Sequence, residues 1–204
     1  MLQNHEVLGF IQGDSDRISV AISTGAAWEI WMQVELALLF RGRNFGTARE
    51  LSYPPPNQNL RLDLGVQDRE GNRYAIELKV ESATNAVRGF FGALFADVNK
   101  IKLYNVDNLA ARWVVGIAFS DQAKNLLAQL TQANPNTIIF GHSNAIGVVI
   151  IDGSSFVPPN IDWIEAMPDE LDSPEELIAE IFLEETSPAK KTVAGRRRQS
   201  ANPD

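Results

Sequence analysis

The sequence places two carboxylates so that they face each other across a hairpin. The runs LRLDLGVQ at 60–67 and RYAIELKVE at 73–81 alternate apolar and polar residues, which predicts two half-buried strands joined by the turn DREGN. If that turn is centred on Glu70, Asp63 lies directly opposite Glu77. Opposed carboxylates repel each other, but a divalent cation would make the pair favourable, because magnesium binds one or two carboxylates together with waters and phosphate.

A lysine and a helical glutamate extend this candidate site. Lys79 follows Glu77 by two residues and projects from the same strand face, where its ammonium group would steady an attacking water or a transition-state phosphate. Upstream, AAWEIWMQVELALLFR predicts a helix over 26–41, in which Glu35 falls inside the apolar stripe and Glu29 on its flank. The stripe consists of Trp28, Trp31, Met32, Leu38 and Leu39. A carboxylate on a core-facing stripe is costly to bury, so Glu35 requires a partner.

These four residues resemble the signature of the PD-(D/E)XK nuclease superfamily, which has a helical glutamate, an aspartate in one strand and Glu-x-Lys in the next. Here the matching residues are Glu35, Asp63 in LRLDL, and Glu77-Leu78-Lys79 in AIELKVE. Leu62 stands where the family commonly has proline before the aspartate. The resemblance covers about residues 26–120.

The resemblance implies both a fold and an activity. The fold would be α/β with a restriction-endonuclease-like core, a mixed β-sheet flanked by helices in the order αβββαβ. Asp63, Glu77 and Glu35 would bind Mg²⁺ (or Mn²⁺), with Glu35 acting directly or through water, and Lys79 would be the catalytic lysine. The reaction would be hydrolysis of phosphodiester bonds in DNA, or in RNA.

The other predicted elements surround this core. We expect helices over 86–104 and about 121–132, strands at 112–120, 137–141 and 145–152, and a short strand at 18–22. Three consecutive prolines in the loop after residue 41 predict an absence of regular structure there.

Simpler interpretations of the same residues remain open. Asp63, Glu77 and Lys79 would equally form an ion pair on a solvated hairpin face, although Gly65 and Ala75 make that face unusually small. Glu35 would then be satisfied by Arg41, Arg43 or another basic side chain. In FADVNKIKLY, Asp97 and Lys100 have the i,i+3 spacing of a surface helix pair, while Lys100 and Lys102 would form a basic strip for a phosphate backbone.

Charge divides the chain into three parts. We expect a nuclease-like domain over 1–158, an acidic peripheral segment over 159–186 that ends in a helix beginning at Ser173, and a disordered basic tail over 187–204. The formal net charge is −8, and residues 125–189 contain no Lys or Arg but 11 Asp and Glu. That acidity argues against binding nucleic acid through a broad positive field and suits a basic protein partner. A second hypothesis is therefore a catalytically inactive nuclease-fold protein-binding module, such as an immunity or inhibitor protein.

Composition bounds the location and the chemistry. The chain has no cysteine, which excludes a thiolate zinc site and a cysteine nucleophile. It shows no signal peptide and no apolar run long enough to span a membrane, so we expect a cytoplasmic protein. A homodimer would let two such sites cut two strands.

Overall fold

The computed structural model describes residues 1–24, 28–82, 87–143 and 145–159, so the predicted acidic segment (apart from residue 159) and the predicted basic tail lie outside the described residues. The helices within these ranges are α1 (Asn4–Gln12), α2 (Ser15–Ser23), α3 (Trp28–Arg41), α4 (Val87–Ile101) and α5 (Asp121–Ala133). The strands are β1 (Gly46–Ser52), β2 (Arg61–Gln67), β3 (Arg73–Val80), β4 (Leu109–Ala118), β5 (Ile138–His142) and β6 (Gly147–Asp152). No helix among these residues is long and apolar enough to cross a membrane.

The six strands form one mixed sheet in the order β1-β2-β3-β4-β6-β5. In the first three strands each neighbouring pair is antiparallel, and β4 pairs in parallel with β3 after the crossover through α4. Strands β6 and β5 complete the sheet with antiparallel pairs. The expected α/β class with a mixed sheet flanked by helices is therefore confirmed.

Two hydrophobic cores lie on opposite faces of this sheet. One is formed with α1 and α3 and includes Met32, Leu36 and Phe40, while the other is formed with α4 and α5. The buried positions of α4 recur every three or four residues, as helical packing against a sheet requires. Its buried residues are Val87, Phe90, Phe91, Leu94, Phe95, Val98 and Ile101.

The central strand β3 is covered on both faces, which corrects the expectation of a half-buried strand. Its alternation of apolar and polar residues is real, but α4 packs over the face that carries Ala75 and Glu77, and both residues are fully buried. The small residues predicted on that face make room for neighbours. A Cβ on Gly65 would lie 2.5 Å from Cδ1 of Leu51 in β1.

Two expectations for the first half of the chain are wrong. Residues 18–22, expected as a short strand, belong to α2, in which Ile18 reaches the core. Strand β1 lies in the segment where no regular structure was expected. The prolines begin at Pro54, after β1 has ended, so they exclude regular structure only beyond the end of that strand.

The apolar stripe of α3 is also rotated from its predicted position. Met32 is fully buried as expected, together with Leu36 and Phe40, but Leu38 is 52% exposed and Trp31 and Leu39 only partly buried. The predicted contribution of the Trp28 side chain lies outside the described residues. The helix therefore presents a different edge to the sheet than the wheel indicates.

A buried carboxylate joins the end of β3 to the start of α5. Glu81 is fully buried and accepts hydrogen bonds from the backbone N–H of Phe119 at 2.7 Å, from that of Ser120 at 2.9 Å and from the Ser120 hydroxyl. The Ser120 hydroxyl oxygen in turn caps α5 by accepting from the backbone N–H of Ala123 at 3.1 Å. Burial raises the pKa of Glu81, although these hydrogen bonds oppose the shift.

We expect Glu81→Ala to destabilise the fold by roughly 2–4 kcal/mol, because it leaves buried backbone donors without an acceptor. Urea denaturation followed by circular dichroism measures this difference. Asp121→Ala is the matched control, since the Asp121 side chain is 91% exposed and pairs only at the surface with Lys124. Equal stability of the two variants would contradict the role given to Glu81.

Candidate functional site

The hairpin of β2 and β3 brings the two predicted carboxylates together. The pairs Gln67↔Arg73 and Leu64↔Ile76 centre its turn on Glu70 and continue toward Asp63 opposite Glu77. Asp63 Oδ2 accepts a hydrogen bond from the backbone N–H of Leu78 at 2.8 Å. The Asp63 carboxylate therefore crosses to β3 immediately beside Glu77.

The hairpin turn is held by its own side chains. Asp68 Oδ1 accepts from the backbone N–H of Glu70 at 3.0 Å and of Asn72 at 2.9 Å, and Gly71 has a φ of +86°, which favours glycine. This local turn fixes the register, and the register determines which residues of the two strands are opposite each other.

Glu77 is fully buried, which excludes the interpretation of a solvated hairpin face. Its Oε1 accepts a hydrogen bond from the Tyr53 hydroxyl at 2.5 Å, and its Oε2 lies 2.7 Å from Lys100 Nζ. Burial, reinforced by the neighbouring charge of Asp63, raises the pKa of Glu77 to about 8, although Lys100 and Tyr53 favour the ionised form. The carboxyl group is therefore largely protonated at pH 7 in the metal-free protein.

Lys79 contacts a helical glutamate, but this glutamate is Glu29. The two oxygens of Glu29, in the first turn of α3, lie 3.1 and 3.0 Å from Lys79 Nζ, and Oε2 also accepts from the backbone N–H of Val80 at 3.3 Å. Asp97 Oδ2 is 3.9 Å from the same Nζ. Lys79 is thus oriented between α3 and α4 at the end of β3.

Glu35 is buried as predicted, but it lies at a different place in the molecule. Its exposed fraction is 3%, and its carboxylate pairs with Arg17 of α2 at 2.9 Å. Glu35 follows Glu29 by six positions, which corresponds to about 240° around a helix, so the two side chains leave α3 in different directions. The basic partner is Arg17, and neither Arg41 nor Arg43, because α2 packs beside α3. This partner could not be identified from the sequence, since α2 was not predicted.

Helix α4 adds two charged residues that were expected on the surface. Asp97 and Lys100 do form the predicted i,i+3 pair, with Oδ1 and Nζ 3.4 Å apart, but their side chains are only 15% and 27% exposed. Burial raises the pKa of Asp97 against the pull of Lys100 and Lys79. Burial opposes the charge on Lys100, but Glu77 and Asp97 outweigh it and raise the pKa of Lys100.

From helical spacing alone, Asp97 could have been predicted to lie on the buried side of α4. It follows the buried Leu94 by three residues and precedes the buried Ile101 by four, so it shares their side of α4. For Tyr53, which precedes the prolines, the sequence gives no comparable signal. Burial, reinforced by its hydrogen bond to Glu77, raises the pKa of Tyr53 far above its usual value.

The donor set at the hairpin suits a hard divalent cation. Asp63 and Glu77 offer carboxylate oxygens, and magnesium commonly takes one or two carboxylates and completes its coordination with waters and phosphate. Among the described residues, no group of three or more His, Asp or Glu side chains lies close enough to hold a metal ion by itself, and Glu35 does not join the pair. A metal at this site would thus rely on non-protein ligands and would compete with Lys100 for Glu77.

We expect the pKa of Glu77 to make stability depend on pH in the metal-free protein. The folded state holds the Glu77 proton up to about pH 8 while the unfolded state releases it near 4.5, so stability falls as pH rises through that window. Glu77→Gln mimics the protonated form. At pH 9 in EDTA it should therefore exceed the wild type in stability by roughly 2–4 kcal/mol, with little difference at pH 5.

Chemical denaturation at pH 5, 7 and 9 checks this expectation. Glu70→Gln, at the exposed tip of the same hairpin, serves as the control that should follow the wild type. A wild type that is more stable than Glu77→Gln at pH 9 would show that Glu77 is ionised at no cost in the folded protein.

Comparisons of the chain with protein families, with curated proteins and with solved structures found no match. The function must therefore be inferred from the residues themselves. The best candidate functional site is the cluster at the β2–β3 hairpin, where acids and lysines from two strands and two helices of the described chain come together.

Proposed function

We propose that this protein is a metal-dependent nuclease that hydrolyses phosphodiester bonds, with DNA as the preferred polymer and RNA as the other candidate. The observation that carries the proposal is the position of Asp63 beside the buried Glu77, with Lys79 two residues further along β3 and linked to Glu77 by ion pairs. Those ion pairs run through Asp97 and Lys100 of α4. A buried carboxylate next to a second one, with a lysine on the same strand, suits phosphodiester chemistry with a divalent cation.

The element order supports a restriction-endonuclease-like core. The chain runs α3, β1, β2, β3, α4 and β4, which is the αβββαβ order expected of that core. The three antiparallel strands followed by a parallel β4 give the mixed sheet that the same core implies. The helices α1 and α2 and the strands β5 and β6 would be additions to it.

Each residue of the cluster has a distinct role in this proposal. Asp63 and Glu77 would hold Mg²⁺ or Mn²⁺, and the bound ion would act as a Lewis acid toward the phosphate and make a bound water more acidic. Lys79 would donate to the attacking water or to a phosphate oxygen, in an orientation set by Glu29. Lys100 would neutralise Glu77 until a cation arrives.

One observation favours the second candidate, an inactive nuclease-fold module that binds a protein. Tyr53 donates to one oxygen of Glu77, and Lys100 lies 2.7 Å from the other, which accepts no hydrogen bond from the described residues, so the charge of the carboxylate is balanced within the chain without any ion. The acidic composition of residues 125–189 suits a basic partner. The two candidates differ in whether a divalent cation displaces Lys100 from Glu77.

A cleavage assay tests the proposal. Plasmid, linear duplex, single-stranded DNA and RNA are incubated with the purified protein in magnesium, manganese or EDTA, beside Asp63→Asn, Glu77→Ala and Lys79→Ala. We expect cutting that requires the metal and falls on the order of 100-fold or more in each variant, as loss of a charge-stabilising group does. A folded wild type that neither cuts nor binds manganese in calorimetry would favour the protein-binding module.

Glu29 and Glu35 provide a matched comparison within one helix. Glu29→Gln weakens the contact that orients Lys79, so we expect a drop in kcat of about tenfold with a smaller change in KM. Glu35→Gln makes the same chemical change in the same helix but affects only the pair with Arg17, so it should retain most of the activity. The reverse order would restore Glu35 as the helical acid of the site.

A further inference from the structure

One side of α3 exposes apolar residues along its length. Ile30, Val34 and Leu38 follow one another at four-residue intervals and are 62%, 36% and 52% exposed. This spacing aligns them on a single helix face. Among the described residues no element covers that face, although a row of large apolar side chains in water is a common mark of a docking surface.

A groove continues this face toward the end of α3. It has a volume of about 540 Å³, and Leu38 and Leu39 contribute apolar surface to it. Arg17 and Arg43 line the groove and are exposed, whereas its two acids are less accessible, because Asp14 is half-buried and Glu35 is buried beneath Arg17. The groove therefore combines an apolar floor with a rim that carries exposed arginines.

The chain contains a segment with the complementary pattern. Residues 171–185, LDSPEELIAEIFLEE, carry six acids and no basic residue. The sequence predicts a helix from Ser173, in which Leu177, Ile178, Ile181 and Phe182 share one side. The segment lies outside the described residues. An apolar side flanked by carboxylates matches an apolar floor flanked by guanidinium groups.

The connection is long enough to bring the two together. The described chain ends at Pro159, near the α4 face, where Phe156 packs against Phe95. Thirteen residues separate it from residue 173, or 14 peptide steps, and an extended chain covers roughly 45 Å over that length, several times the distance of about 8–10 Å that separates packed elements. A tether of this length gives an effective concentration in the millimolar range, so even a weak contact would be populated.

We propose that residues 173–185 dock on the exposed face of α3 and its groove within the same chain. The apolar side of the segment covers Ile30, Val34 and Leu38, and its carboxylates lie toward Arg17 and Arg43. The proposal does not depend on the nuclease activity proposed above, because it is argued from the exposed apolar face of α3 and the charges of the segment, and not from the carboxylates of the β2–β3 hairpin.

Disulfide trapping in the full chain tests this docking, and the absence of native cysteine makes every engineered pair unambiguous. Phe182→Cys is combined in turn with Ile30→Cys, Val34→Cys or Leu38→Cys, all at exposed positions on α3. Phe182→Cys with Lys102→Cys is the control. Lys102 is exposed and follows Ile101 in the sequence. Ile101 packs against Gly153, six residues before the described chain ends, so the control position lies near the point where the segment leaves the domain.

We expect at least one α3 pair to form an intramolecular disulfide about tenfold or more faster than the control pair, independently of protein concentration. Equal or slower rates for all three α3 pairs would overturn the proposal. A covalent dimer whose yield rises with concentration would also overturn it and would identify a second copy of the chain as the occupant. Mass determination under non-reducing conditions separates these outcomes.

Charge reversal in the segment supplies an independent readout. Glu184→Lys together with Glu185→Lys, placed in the fastest trapping pair, should slow disulfide formation severalfold, and high salt should produce the same slowing in the unaltered segment. These substitutions leave the described domain unchanged. If neither charge reversal nor high salt affects the rate, the proposed pairing of the segment's carboxylates with Arg17 and Arg43 is wrong.

Discussion

The ionisable group that most constrains this structure is Glu77, which is fully buried on the central strand beneath α4. A lone carboxylate at such a place is strongly unfavourable, and the surrounding structure supplies what it needs. Tyr53 donates from the segment after β1, Lys100 approaches from α4, and Asp63 is held beside it by the backbone of β3. The positions of β1, β2 and α4 relative to β3 are thus tied to one carboxyl group.

That arrangement also exposes the Glu77 carboxyl to opposing influences on its charge. Burial and the charge of Asp63 favour the neutral form of Glu77, whereas Lys100 favours the ionised form. The balance raises the pKa of Glu77 into the neutral range and leaves the group among donors and acceptors from several elements. Such a balance is costly for structural purposes alone, since apolar residues would fill the same space with less risk to stability.

Local patterns predicted most of the sheet and the pairing of its two acids. The alternation on either side of the turn predicted β2, β3 and the opposition of Asp63 and Glu77, because a short hairpin determines its own register. Strand β1 was not predicted because GTARELS is polar and precedes a run of prolines. It forms a strand because it pairs with β2. The nine-residue helices α1 and α2 are too short for their periodicity to identify them.

The remaining errors concern how packed helices are oriented. Whether Glu29 or Glu35 reaches Lys79 depends on the edge that α3 presents to the sheet, and a helical wheel does not contain that angle. The packing of α4 over β3 is likewise set by tertiary structure and not by local sequence. Without knowledge of that packing, Lys100 and Asp97 have only the spacing of a surface ion pair. Contacts within one hairpin can be predicted from sequence, while contacts between helices and a sheet can be predicted only in part.

The parallel pairing of β3 with β4 determines when these charges meet during folding. A hairpin forms within microseconds from neighbouring residues, so Asp63 and Glu77 approach each other early, whereas Lys100 arrives only with the longer crossover through α4. Until α4 packs on the sheet, the positive charge of Lys100 does not offset the repulsion between the two carboxylates. Folding of this chain should therefore accelerate as the Glu77 carboxyl becomes protonated, which makes the rate of folding, and not only the free energy of unfolding, sensitive to pH.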